Sequence, residues 1–232
     1  MGDISIIARR LKSGHVQYGW SGNGGYFKNT GERLLLWYNE GDEEIVEDLF
    51  ELGQLSFIGI PGSEKGGYSR FLSHHLTGKP HYLGRTEREI FSKIAFVDYG
   101  YFYDLDKRWY YIIPGPFRIK MPLELIAQNL NEKDYEFDFL REIEKKVMEF
   151  ILVEYSKKNK EFAELLEEIK DEDVYHVVME SEFPVHTFWE KYRKFFNYFD
   201  DWIVVKTDDE CRKIRSFEVR KKENAHIETI EW

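Results

Sequence analysis

AFVDYGYFYDLDKRWYYII, residues 95–113, is the stretch on which the reading of the fold turns. Two runs rich in aromatic and branched residues, Ala95–Asp104 and Arg108–Ile113, flank Leu105-Asp106-Lys107. Strand-forming runs on either side of a short polar turn predict a β-hairpin. In an alternating strand Asp98 shares a face with Phe96 and Phe102, where an isolated charge is costly. Arg108, Arg118 or Lys120 on neighbouring strands would be its partner, and Asp98 is a candidate catalytic carboxylate. The aromatic ladder resembles a base-stacking sheet only superficially, because no basic groove accompanies it.

Working outward, Pro114-Gly115-Pro116 forces a turn before a last short strand, Phe117–Met121. Pro122 suits the first position of a helix through Leu123, Leu125, Ile126 and Leu130. Towards the N-terminus, Asp3–Leu11 and His15–Trp20 predict another hairpin around Lys12-Ser13-Gly14. HVQYGWSGNGGYF, residues 15–27, then passes from strand through a glycine loop into a helix that Asn29 or Thr30 would cap. A second helix carries Ile45, Val46, Leu49, Phe50 and Leu52 on its apolar face, acids in its first turn and Gly53 at its end. Gln54–Ile60 is expected as a buried strand. Tyr68–Leu76 and His81–Leu83 are expected as a strand pair, and Thr86–Glu89 as a capping box.

Beyond about residue 131 apolar residues recur at helical spacing: Phe137, Leu140, Ile143, Val147 and Ile151, then Phe162, Leu165, Leu166 and Ile169, then Phe188, Tyr192, Phe195, Phe196 and Phe199. Trp202–Val205 and Ser216–Arg220 read as late strands, and the polar C-terminus as a segment that frays or docks. The expected fold class is α+β. A largely antiparallel sheet built from hairpins fills about the first 120 residues, packed with helices, and a helical acidic C-terminal half follows. No Pro/Gly/Ser linker separates the halves, so residues 1–232 are expected to form a single domain. The alternative is a sheet-rich domain 1–121 and a helical domain 122–232.

Charge and composition narrow the functional classes. Aromatic residues make up 17% of the chain, which argues against disorder. Residues 1–125 hold 15 Lys+Arg and 16 Asp+Glu, a balance of −1, which leaves −9 of the net −10 to the remainder. Such a chain is poorly suited to neutralising nucleic-acid phosphates and better suited to a basic protein partner. Cys211 is the single cysteine, so no internal disulfide forms and a reducing compartment is favoured. The opening MGDISIIARRLKSG has too short an apolar run for a secretory leader, and no stretch is long enough to span a membrane. The expected location is the cytoplasm.

Two segments carry the candidate ligand-binding residues. In the Gly19–Gly25 loop these are Trp20, Gly22, Asn23, Gly24 and Gly25, followed by Tyr26. Glycines let backbone approach a ligand, and aromatics offer it a flat surface. Gly19-Trp20-Ser21-Gly22-Asn23 misses the last glycine of a nucleophile elbow, and the loop matches neither standard phosphate motif. The second segment, Gly62–His81, offers Lys65, Arg70, His74, His75 and His81. His74 and His75 are the other two catalytic candidates, since imidazole titrates near neutrality. On a strand they would point to opposite faces, so they cannot share one ion, and neither a metal nor a cofactor is expected. The expectation is a non-catalytic interaction or regulatory protein of the inhibitor or immunity kind, acting on a basic partner. The alternative is a small-ligand or nucleotide-binding enzyme whose pocket joins the two segments.

Overall fold

The computed structural model describes residues 4–22, 24–39, 43–63, 74–84, 90, 99–113, 117–130, 136–169, 173–181, 184–195, 201–220 and 227–231. The strands are β1 (Ser5–Arg10), β2 (Val16–Ser21), β3 (Leu55–Phe57), β4 (His75–Leu76), β5 (Tyr82–Gly84), β6 (Tyr99–Tyr103), β7 (Trp109–Ile113), β8 (Arg118–Pro122), β9 (Trp202–Thr207), β10 (Ile214–Arg220) and β11 (Ile227–Glu231). The helices are α1 (Glu32–Trp37), α2 (Glu43–Glu51), α3 (Leu123–Asn129), α4 (Glu136–Glu149), α5 (Lys160–Glu168), α6 (Val174–Met179) and α7 (Pro184–Tyr192).

Ten strands line up in one mixed sheet in the order β11-β10-β9-β8-β7-β6-β1-β2-β3-β4, and β5 pairs with β2 beside that path. This overturns the expected hairpin-built, largely antiparallel sheet and its α+β class. The hairpins β1–β2, β6–β7 and β9–β10 are present, but parallel joins link them: β1 with β6, β2 with β3 and β8 with β9. The helical second half is corrected with it, because β9 and β10 return to the same sheet through β8 and Ile227–Glu231 adds a further strand. Burial explains the change. Every residue of β6, β7 and β8 is buried, as expected where both faces of a sheet are covered.

Successive side chains on a strand point to opposite faces, and here each face has its own core. Ile7, Tyr101, Tyr111, Ile119, Ile203 and Phe217 belong to a large cluster that also takes in residues from α1 to α7. Ile6, Ala8, Tyr18, Phe102, Tyr110, Trp202 and Val204 form the second cluster, against which Trp20 packs. The expected strand pair of Tyr68–Leu76 with His81–Leu83 is corrected in its described part, residues 68–73 lying outside the described residues. β4 joins β3 and β5 joins β2, so the chain between them bridges two strands instead of closing a hairpin.

Candidate functional site

α2 and the chain end after α1 frame a cleft of about 390 Å3. Its walls include Tyr38, Ile45, Asp48, Leu49, Glu51, Leu52, Pro61, Gly62 and His74. α2 forms because Val46, Leu49 and Phe50 face the core while Glu43 and Glu44 occupy its first turn, where the helix dipole favours acids. Gly53, at φ +79°, ends it in the left-handed conformation that glycine adopts without strain.

The cleft floor is a closed hydrogen-bond set. Tyr38 closes α1 and its hydroxyl donates to the Gly59 carbonyl at 2.8 Å. The Gly59 amide donates to Nδ1 of His74 at 3.0 Å, so that nitrogen carries no proton. Nε2 of His74 therefore bears the hydrogen and donates to the Tyr38 hydroxyl at 3.1 Å. The His74 amide donates in turn to Ser63 Oγ at 3.0 Å. Trp109, fully buried on β7, anchors the arrangement by donating from Nε1 to the Tyr38 carbonyl at 3.0 Å. Both ring nitrogens of His74 are thus occupied, and a base or ligand role would require breaking the set.

The remaining candidates separate. His75 is half-buried, with its ring against Phe57. Gly22 and Tyr26 are exposed, whereas Gly25 is buried. The Gly24 carbonyl accepts from Asn29 Nδ2 and Thr30 Oγ1, both at 2.9 Å, and the Gly25 carbonyl accepts from the Tyr101 hydroxyl at 2.7 Å. Asn29 and Thr30 therefore pin the loop instead of capping the helix, which begins earlier as a wide turn over Phe27–Gly31. Asn23, Lys65, Arg70 and Asp98 lie outside the described residues.

The two predicted segments do meet at one place. Gly19, Trp20 and His81 border a small space with Ile7, Leu49, Phe50 and Leu55. His81 Nδ1 donates to the Phe50 carbonyl at 2.9 Å, joining this region to α2. Burial, with the nearby Arg9 charge, pulls the His81 imidazole below its ordinary value. A Cβ on Gly19 would lie 2.2 Å from His81 Cδ2, so only glycine allows this close approach.

A buried ion network, which sequence reasoning missed, occupies the other sheet face. Lys120, 2% exposed, pairs with Asp104, and Arg10 Nε reaches the same carboxylate at 2.6 Å. Burial alone would raise the Asp104 carboxyl, but Lys120 and Arg10 outweigh it and hold the group at about 2. The Lys120 ammonium also lies 4.2 Å from the centre of the Tyr110 ring. Lys120, one of the three cations considered as partners for Asp98, thus pairs with Asp104. The signal available was the pair of cations, Arg118 and Lys120, inside a short strand whose other residues are apolar.

A further cavity, of about 280 Å3, lies near Arg108, Tyr110, Lys206, Cys211, Asp208 and Asp209, and the two aspartates form no salt bridge among the described residues. There Arg108 pairs with Glu124 at 3.5 Å and Lys206 with Glu218 at 2.5 Å. The Cys211 thiol is buried and accepts from Arg108 Nη2 and Thr207 Oγ1. On α2, Glu43 pairs with Lys12 and Lys107, and Glu47 with Arg9. Asp48 and Glu51, exposed at the cleft, likewise form no salt bridge among the described residues, and the Glu51 charge acts on the Arg9 guanidinium. No group of His, Cys, Asp or Glu suited to a metal ion occurs among the described residues, and no described helix is long and apolar enough to cross a membrane. Compared with known proteins, the chain matches no family model, no curated protein and no solved structure.

Proposed function

We propose that this protein is a non-catalytic binding protein, regulatory or inhibitory in role, that engages a basic protein partner in the cytoplasm. One observation carries the reading: Asp48 and Glu51, exposed at the cleft beside α2, form no salt bridge among the described residues, while the neighbouring imidazole is committed to the fold. The net charge of −10 supports it, since acidic complementarity mainly speeds association and sharpens selectivity. The single cysteine supports the compartment. Against the enzyme alternative, His74 has both ring nitrogens bonded and the Gly24 and Gly25 carbonyls are tied down internally. Affinity capture from the native host, repeated at low and high salt, tests the proposal. A basic partner retained at low salt and released at high salt is expected; recovery of none, or of an acidic partner indifferent to salt, would overturn it.

A further inference from the structure

We infer that Ser5 and Ser21 form an internal binding site for one ordered water, held between their two hydroxyls inside the sheet. The site is independent of the binding function proposed above and is tested apart from it.

The two residues are direct partners across the β1–β2 pair, so their Cβ atoms stand about 4.5–5.5 Å apart on one face. Alternation along β1 puts that face on the side of Ile7, which belongs to the larger core. Both serines are fully buried, at 0% exposure. Neither hydroxyl has a hydrogen-bond partner among the described residues. The main chain beside them is committed to the ladders, because Ser5 also pairs with Tyr99 of β6 and Ser21 with Leu55 of β3. A buried hydroxyl left without a partner keeps its full desolvation cost. A water removes that cost for both, since it donates and accepts at once and is held inside proteins by as few as about two polar groups. A water about 2.8 Å from each oxygen spans two serines that face each other in this way. Neither hydroxyl has a charged group in hydrogen-bond reach, so the occupant is neutral. Ser21 closes β2, and the bridge therefore ties the root of the Gly22–Gly25 loop to β1.

Ser5→Ala, Ser21→Ala and the double variant remove one small hydroxyl each or both, and are unfolded by heat beside the wild-type full chain. A bridging water predicts that each single substitution lowers the thermal midpoint by about 2–4 °C, because it breaks the bridge and strands the other hydroxyl. The double variant should fall by clearly less than the sum of the two, since nothing is then left stranded. Hydroxyls without any occupant give the opposite sign, because alanine then deletes an unmet polar group. A raised midpoint in the single variants, or strict additivity in the double one, overturns the site. A direct bond between the serines would give the same signs as the water, and a crystal structure of the wild type separates the two. A density peak about 2.8 Å from both Oγ atoms is expected. Lack of that peak, whether the two oxygens touch each other or not, overturns the site.

Discussion

Replacing Glu144 by glutamine should stabilise the protein at neutral and alkaline pH. Glu144 lies on α4, 9% exposed, and accepts from the backbone amide of Val185 at 3.1 Å and from that of His186. It thereby closes the first turn of α7 across a helix–helix contact. Burial pushes its carboxyl from the ordinary 4.5 up to about 7, against the pull of the two amides, and no cation among the described residues offsets that burial. Below 4.5 the folded and unfolded chains both carry the proton. Between 4.5 and about 7 the folded chain holds it more tightly, so stability falls as pH rises through that window, and the full penalty persists above it. At about 1.4 kcal/mol per unit the interval amounts to about 3 kcal/mol. Glutamine keeps an oxygen for the two amides and never ionises. Guanidinium denaturation of wild type and Glu144→Gln at about pH 4 and about pH 8 measures the difference. The variant should match wild type at the lower pH and exceed it by up to about 3 kcal/mol at the higher. A Glu144→Gln protein that is less stable than wild type at the higher pH would refute the reasoning, because the carboxylate would then be a net favourable cap.

Gly19→Ala should cost about 1–3 kcal/mol by displacing His81, measured as a lowered thermal midpoint; adding His81→Ala should recover part of that loss, and strict additivity would sink the explanation. Lys120→Met should cost roughly 3–5 kcal/mol in denaturant titrations, because Asp104 keeps its burial but loses its nearest cation. Asp104 also sets an acid limit: its contribution is present above its ordinary 3.8 and is lost as pH falls towards about 2, so wild type should weaken through that window and Asp104→Asn should not. The sheet shared by β1–β8 and β9–β11 supports one cooperative unit spanning residues 1–232; calorimetry should show a single transition, and two separated transitions would favour division near residue 121.

Local signals were legible in the sequence and long-range pairings were not. The hairpin at residues 99–113, the end of α2 at Gly53 and the late strands near 202 and 216 follow from turn chemistry and short apolar runs. The parallel joins of β1 to β6 and of β8 to β9 connect strands about eighty to ninety residues apart, and no local pattern encodes such a pairing. One clue was present: YGYFY and WYYII lack a polar alternation, which marks strands buried on both faces. The candidate site was half legible. His74 was singled out for its chemistry, but its two ring bonds come from Tyr38 and Gly59, distant in sequence. Asp48 and Glu51 carry no motif in the sequence, and only the fold sets them beside Tyr38, Pro61 and Gly62 at a cleft.

The most direct test of the binding function is the association rate of the captured host partner with the full chain, followed across ionic strength. A charge-guided encounter with a basic partner predicts a rate that falls steeply as salt is added. A rate indifferent to salt, or the absence of any basic partner to measure, would contradict it.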